Sequence, residues 1–167
     1  MNILLEGVDA SGKSTLAREL MHKLNGTRAF PWSYRRSEGP EKEPGEILKR
    51  IEHYNQESQV IFDRHPIVSH PIYSKTVSWM TDIPNSVTED FYTRPFLIVY
   101  CMPTARGFDA HETVEGVDTA EHLEMVKNRY GELLADYNEW ALRRAHMIYR
   151  CGEDFDATIH RIVKAVS

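Results

Sequence analysis

The sequence predicts a three-layer α/β fold in which a five-stranded parallel sheet is flanked by helices on both faces. Short apolar runs alternate with stretches in which apolar residues recur at helical spacing. The apolar runs are continuous, which is typical of strands buried on both faces of a parallel sheet. The length of 167 residues, without repeats or low-complexity tracts, predicts a single domain over residues 1–167.

The first strand and the first helix follow directly from the sequence pattern. The apolar run "NILLE" at 2–6 predicts a buried strand. A helix is expected from about Lys13 to Asn25-Gly26, a pair typical of helix ends. Its apolar face is formed by residues at a spacing of four, Leu16, Leu20 and Leu24.

The next part of the chain predicts a strand, a polar loop, a helix and another strand. Residues 27–32 favour the strand and residues 33–43 the loop. Pro44 suits the first turn of the helix, because proline fixes the backbone in a helix-compatible angle. One face of that helix carries Ile47, Leu48, Ile51 and Tyr54. The apolar run at 58–63 predicts the next strand.

Apolar runs at 94–102 and 146–151 complete the sheet in the second half of the chain. The longest helix lies between them, and Asp118 to Glu121 form a variant capping box at its start. Its buried stripe consists of Leu123, Val126, Tyr130, Leu133, Leu134, Tyr137 and Trp140. The final helix buries Phe155, Ile159, Ile162 and Val166. Two segments, 64–93 and 103–117, show no clear pattern, and loops that long are usually functional or contain short helices.

Charge and cysteine content narrow the classes of protein to consider. The formal net charge of −5 counts against a general nucleic-acid-coating role, although it leaves room for a local basic groove. Cys101 and Cys151 form no C-x-x-C pair, which favours a reduced cytoplasmic protein without disulfides or a zinc site. We expect no membrane span and no signal peptide, because long apolar runs are missing and the N-terminus enters a strand at once.

A phosphate-binding loop lies between the first strand and the first helix. The run from Gly7 to Ser14 matches G-x-x-x-x-G-K-[ST] at every fixed position. Its glycines let backbone N–H groups surround an anion, and the helix N-terminus adds partial positive charge. Lys13 is expected to reach the β- and γ-phosphates of ATP, and the Ser14 hydroxyl to ligate Mg²⁺. The predicted ATP-binding residues are Gly7, Val8, Asp9, Ala10, Ser11, Gly12, Lys13, Ser14 and Thr15.

A carboxylate and an arginine follow the strand at 58–63. Because ligands bind at the carboxyl ends of parallel strands, Asp63 should lie beside the phosphate loop and hold Mg²⁺ through water. Arg64 then points toward an anion in the same cleft, since its planar fork suits phosphate. A surface salt bridge is the alternative interpretation of this pair.

The motifs "EGVDASGKST" and "VIFDRHPIVSHPIYS" resemble the thymidylate kinase family of nucleoside monophosphate kinases, within the P-loop kinase fold. The resemblance implies that Asp9 faces the acceptor sugar near its 3′-hydroxyl and that Arg64 contacts the acceptor phosphate. It also implies that Arg35 or Arg36 helps to hold that phosphate. Two further residues, Ser69 and Tyr73, would line the acceptor pocket near the base. Homodimers are common in the family.

The resemblance also implies a short lid at 103–117, in which Arg106 is the candidate charge-stabilising arginine. Several positions depart from the family pattern. Ala10 means that no arginine comes from the phosphate loop, and Ser37-Glu38 interrupt the family's R-x-P-G-like acceptor loop. These departures bear on the acceptor and not on ATP binding.

Three functions remain open at this point. The first is ATP- and Mg²⁺-dependent phosphoryl transfer to a deoxynucleotide-type acceptor, thymidylate or a close analogue, which needs cations but no general base. The second is phosphorylation of the hydroxymethyl group of 5-hydroxymethyluracil in DNA, where Asp9 or Asp63 would act as base. Exposed aromatic residues such as Trp32, Tyr34 and Trp79 would then stack on bases. The third is a nucleotide-binding module without catalysis.

Overall fold

A computed structural model describes residues 1–26, 31–76, 79–104 and 120–167 of the chain. The five strands are β1 (Asn2–Glu6), β2 (Ser33–Arg36), β3 (Val60–Asp63), β4 (Phe96–Met102) and β5 (Met147–Arg150). They form one sheet in the order β2-β3-β1-β4-β5, and every pair is parallel. The predicted fold class is therefore confirmed. This order places β1 between β3 and β4, so the phosphate loop that follows β1 lies at the centre of one sheet edge.

Helices cover both faces of the sheet. They are α1 (Lys13–Asn25), α2 (Glu46–Tyr54), α3 (Pro66–Tyr73), α4 (Asn85–Tyr92), α5 (Ala120–Asn128), α6 (Tyr130–Arg144) and α7 (Phe155–Val166). Residues from α1 and α7 form the core on one face, and residues from α2, α3, α4 and α6 form the core on the other. Two separate apolar cores thus hold the sheet rigid between them. None of the helices within the described residues is long and apolar enough to cross a membrane.

The second strand lies later in the chain than the sequence pattern indicated. The prediction of a strand at 27–32 is wrong at residues 31–32, the part that the structure describes, because neither is in a strand. The predicted polar loop at 33–43 instead begins with β2. The physical reason is that β2 is an edge strand with one neighbour, so the polar run "SYRR" is tolerated there. Trp32, predicted to be exposed, is only 3% exposed and packs in the core beneath α1.

Two helices occupy the segment 64–93, which confirms that it contains short helical elements. Pro66 begins α3, and the ring Nδ1 of His65 accepts a hydrogen bond from the backbone N–H of Ile67 at 3.2 Å. A short 3₁₀ turn, Ser74–Thr76, follows α3.

The single long helix predicted before β5 is divided in two. Arg129 has φ −108° and ψ 11°, which separates α5 from α6, and Gly131 beside it lowers the local helix propensity. The capping box at 118–121 and the lid at 103–117 lie largely outside the described residues, as does Arg106.

Candidate active site

The phosphate loop wraps around its own lysine. The Lys13 ammonium donates hydrogen bonds to the carbonyl oxygens of Gly7 (3.1 Å) and Val8 (2.7 Å) and to Ser11 Oγ (3.0 Å). Gly12, with φ 77°, turns the chain into α1 immediately before Lys13. Burial lowers the pKa of Lys13, although the nearby Asp63 and Asp9 partly offset that effect. The lysine is therefore desolvated and fixed at the loop centre, where phosphate charge would stabilise its ammonium form.

Two of the loop glycines are required by geometry. A Cβ atom on Gly7 would overlap the carbonyl oxygen of Cys101 in β4, and Gly7 also has a positive φ of 149°. A Cβ atom on Gly12 would lie 2.9 Å from the Cys151 sulfur. Ala10, a non-glycine residue, takes φ 61°. The loop is thus a tightly packed turn with backbone strain, as expected where the main chain itself binds the ligand.

Replacing Gly7 with alanine is expected to lower the free energy of unfolding by about 2 kcal/mol and to weaken ATP binding. The added methyl group has no space, so β1 and β4 must separate or the loop must shift. Urea unfolding and nucleotide titration measure the two effects. Gly131→Ala is the matched control, because among the described residues no atom beyond its chain neighbours and the adjacent backbone of its own helix lies within 4 Å of the Cβ position, and the helix should become slightly more stable. Equal stability of the two variants would contradict the steric argument.

An oxygen cluster lies beside the loop at the end of β3. Ser14 Oγ donates to Asp63 Oδ2 at 2.6 Å, and the hydroxyl of Tyr34 donates to the same oxygen at 3.0 Å. Carboxylate and hydroxyl oxygens are the hard donors that Mg²⁺ prefers. The two residues predicted for the metal, Ser14 and Asp63, are therefore in direct contact and chemically suited to it.

Asp9, Arg64 and Tyr73 form a closed network on the other side of the loop. The Tyr73 hydroxyl donates to Asp9 Oδ2 at 2.7 Å, while Arg64 Nη2 lies 3.2 Å from Asp9 Oδ1 and donates to the Tyr73 oxygen at 2.9 Å. The side chains of Asp9 and Arg64 are only 11% and 13% exposed. Burial is the largest single effect and opposes the charge of Arg64, but the Asp9 carboxylate and the neighbouring acidic groups together outweigh it, so the pKa of Arg64 is well above its ordinary value.

The position of Arg64 depends on an unusual backbone angle. Arg64 has φ 73°, a left-handed conformation that is rare for arginine, while its N–H donates to the Leu5 carbonyl at 2.9 Å. Its Nε is buried, and no described residue accepts a hydrogen bond from it. This combination of strain and an unsatisfied donor next to the phosphate loop is typical of a functional position.

Glu6, the last residue of β1, is a buried carboxyl at the centre of the site. One of its oxygens accepts the His65 N–H at 2.6 Å and the other accepts the Tyr137 hydroxyl at 3.1 Å. Burial, partly offset by the His65 hydrogen bond and by the Arg64 and Lys13 charges, raises the pKa of Glu6 from 4.5 to about 7. Glu6 thus titrates near neutral pH and links β1 to α3 and α6.

The remaining predicted site residues lie in different surroundings. Arg35 forms a two-point ion pair with Glu57, one of whose hydrogen bonds is 3.1 Å long, and its guanidinium lies 4.9 Å from the Tyr54 ring centre. Arg36 is exposed at the end of β2, in register with Asp63. Ser69 is half-buried and donates to the His65 carbonyl at 3.2 Å. Thr15 is exposed on the first turn of α1, and Val8 is fully buried.

Sequence patterns missed two contacts of the site and the place of Glu6 within it. The Tyr34 hydroxyl reaches Asp63 from an edge strand, and the Tyr130 hydroxyl donates to the Asp9 carbonyl at 3.2 Å from the start of α6. Glu6 belongs to the motif that carries the family resemblance, but the sequence assigned it no role in the site. For Tyr34, the alternation of side chains along β2 is the sequence signal that bears on which face of the sheet it occupies. The contacts of Tyr130 and Glu6 depend on packing between distant parts of the chain.

Comparisons with known proteins bear on the fold. No family model matches the chain, and no curated protein matches its sequence. The YorR protein from Bacillus subtilis, solved in complex with phosphorylated GDP, is similar with a TM-score of 0.73 and 20% identity, over 99% of this chain and 95% of that chain. Deoxyadenosine kinase from M. mycoides, with dCMP and dCDP bound, is similar with a TM-score of 0.55 and 18% identity, over 99% and 98%. The chain thus has the parallel α/β fold of P-loop kinases, and the finer resemblance to thymidylate kinases stays a prediction.

Proposed function

We propose that the protein transfers the γ-phosphoryl group of ATP–Mg²⁺ to a nucleotide-type acceptor, with thymidylate or a close analogue as the first candidate. One observation carries this proposal. The lysine-filled phosphate loop has the Ser14–Asp63 oxygen pair on one side and the Asp9–Arg64–Tyr73 network on the other. A donor side and an acceptor side thus meet at the same edge of the sheet, as phosphoryl transfer requires.

The donor side holds ATP through the backbone and Lys13. The N-terminus of α1 and the loop N–H groups bind the phosphates, and the Lys13 ammonium neutralises charge on the transferred group. Ser14 and Asp63 would hold Mg²⁺, which supplies charge neutralisation at the phosphate oxygens when bound. The proposed ATP-binding residues are those of the loop, Gly7 to Thr15, and Arg106 is proposed as a closing arginine from outside the described residues.

The acceptor side offers a permanent cation and a fixed carboxylate. Arg64 remains charged at every ordinary pH and would contact an acceptor phosphate, while Asp9 would orient the sugar. Arg36, exposed at the end of β2, would add a second cation. The Tyr73 hydroxyl hydrogen-bonds both Asp9 and Arg64 and so fixes their relative position. Ser69 lies one turn before Tyr73 on α3. Such an acceptor needs no general base, because its phosphate oxygen is already anionic.

A second candidate is phosphorylation of a hydroxymethyl group of 5-hydroxymethyluracil in DNA. The observation that favours it is the pairing of the predicted phosphate-binding arginines with carboxylates, Arg64 with Asp9 and Arg35 with Glu57. Paired cations offer less net charge to an acceptor phosphate. Tyr34 and Trp79 are 39% and 50% exposed and are available to stack on bases. Asp9 would then be the base that accepts the hydroxyl proton.

The names of the similar structures support nucleotide chemistry without choosing between these acceptors. Deoxyadenosine kinase is named for a nucleoside substrate, and the YorR structure contains phosphorylated GDP. A cytoplasmic location, from the cysteine content, and homodimerisation, from the family resemblance, are further proposals.

A single assay separates the candidates. ATP labelled at its γ-phosphate is offered with free thymidylate and, separately, with DNA that contains 5-hydroxymethyluracil. We expect label in the diphosphate product, and label in DNA would instead establish the second function.

Arg36→Gln should raise the KM for thymidylate by roughly tenfold, since one charge-assisted hydrogen bond is lost. Arg143→Gln, an exposed arginine on α6, is the matched control. In the labelled-ATP assay, a wild-type protein that binds nucleotide but transfers label to neither acceptor would indicate a non-catalytic module.

A further inference from the structure

We propose that Tyr34 is a positioning residue of the metal site, whose hydroxyl fixes the Asp63 carboxylate for Mg²⁺. This inference rests on the proposed function, because it assumes that Ser14 and Asp63 hold the metal of ATP–Mg²⁺. The sequence pattern of phosphate-loop proteins assigns no role to a tyrosine at this place in the edge strand.

The hydroxyl of Tyr34 approaches the same carboxylate oxygen that Ser14 contacts. Its distance to Asp63 Oδ2 is 3.0 Å, and that of Ser14 Oγ is 2.6 Å. Along the β2–β3 pair, Tyr34 lies opposite Ile61 and Arg36 opposite Asp63. The long side chain of Tyr34 therefore reaches two residues toward the carboxyl end of the neighbouring strand, which a shorter hydroxyl residue would not span.

A tyrosine suits this place because it donates a hydrogen bond without adding charge. A lysine or arginine at the same distance would neutralise Asp63 and weaken its attraction for a divalent cation. A phenol is protonated at neutral pH, so the Tyr34 hydroxyl remains a donor to Asp63. A side chain that orients a metal-holding carboxylate in this way changes metal affinity by roughly 10- to 100-fold in other proteins.

The exposure of Tyr34 is consistent with this role and does not favour a purely structural one. The residue is 39% exposed and lies on the edge strand, so its ring contributes little to either apolar core. Its hydroxyl nevertheless points to the one carboxylate at the end of β3. Removing the hydroxyl should therefore alter the metal site much more than the stability of the fold.

The test is Tyr34→Phe, with Mn²⁺ as the probe and ADP as the nucleotide. Mn²⁺ affinity of the protein–ADP complex is measured by electron paramagnetic resonance, and the Mg²⁺ dependence of turnover is measured in parallel. We expect Mn²⁺ affinity to fall about tenfold. The Mg²⁺ concentration for half-maximal turnover should rise by a similar factor, while kcat at saturating metal falls less than about threefold. Tyr92→Phe is the matched control, because it also removes a hydrogen-bonded phenol hydroxyl, one that accepts from Trp140 at 2.8 Å and not one that contacts Asp63.

An Asp63→Asn background shows whether Tyr34 acts through the carboxylate. In that background, Tyr34→Phe should have no further effect on Mn²⁺ affinity, because the group that it orients has lost its charge. Unchanged Mn²⁺ affinity in the single variant, or equal losses in both backgrounds, would overturn the inference while the proposed function stands. A wild-type protein that neither binds Mn²⁺ with ADP nor transfers phosphate would overturn both.

Discussion

Replacing Lys13 with alanine is expected to lower phosphoryl transfer by roughly 10²- to 10³-fold, the usual cost of removing one preorganised donor from a charge-stabilising site. The Lys13 ammonium is held by the Gly7 and Val8 carbonyls at the centre of the loop, where under the proposed function it would meet the phosphates of ATP. The loss should appear mainly in kcat, because the backbone N–H groups of the loop still bind ATP. Single-turnover kinetics with labelled ATP measure the effect.

The fold should survive this change. Burial lowers the pKa of Lys13, which means that the folded protein pays a desolvation cost for the ammonium that alanine does not. The thermal midpoint of the variant should therefore stay close to that of the wild type. Lys23→Ala, at an exposed position near the end of α1, is the matched control and should leave both turnover and stability unchanged. Near-normal turnover in Lys13→Ala would remove the proposed mechanism.

The centre of the site was predictable because its determinants are local in sequence. The strand β1, the loop and α1 follow one another, and the structure begins α1 at Lys13 and ends it at Asn25, as predicted. The apolar run before Asp63 likewise predicted a strand whose end meets the loop, and Asp63 contacts Ser14. Both predictions use short-range patterns together with one rule of parallel sheets.

The acceptor side was less predictable because its contacts join distant parts of the chain. Arg35 or Arg36 was expected to help hold a phosphate, and the structure pairs Arg35 with Glu57, which follows α2 in the chain. No periodicity in the sequence encodes that choice of partner, since a charged residue on an edge strand is equally compatible with solvent. Tyr34 was expected to be an exposed aromatic residue, and it is, but its hydroxyl contact with Asp63 depends on the β2–β3 register. Register follows from packing of the whole sheet.

Glu6→Gln is expected to stabilise the protein at about pH 8 and to have little effect at about pH 4. The pKa of Glu6 is 4.5 ordinarily and about 7 in the folded protein, so the folded state binds more protons than the unfolded state between these values. Stability from this group is therefore fully present below pH 4.5 and is lost as pH rises through 7. The full loss is about 3 kcal/mol, from 1.36 kcal/mol per pKa unit. Glutamine carries no ionisable group, so the variant does not lose this stability as the pH rises.

Urea unfolding of wild type and variant across this pH range measures the difference directly. Glutamine retains an oxygen for the His65 N–H, which the structure gives at 2.6 Å from Glu6, so the backbone contact survives. His65, whose pKa burial lowers to about 3, is present in both proteins and its contribution largely cancels in the comparison. Glu52→Gln, at an exposed position on α2, should retain the pH dependence of the wild type. A Glu6→Gln variant with the wild-type pH dependence would show that folding does not raise the pKa of Glu6, because the His65 hydrogen bond and the Arg64 and Lys13 charges fully offset burial.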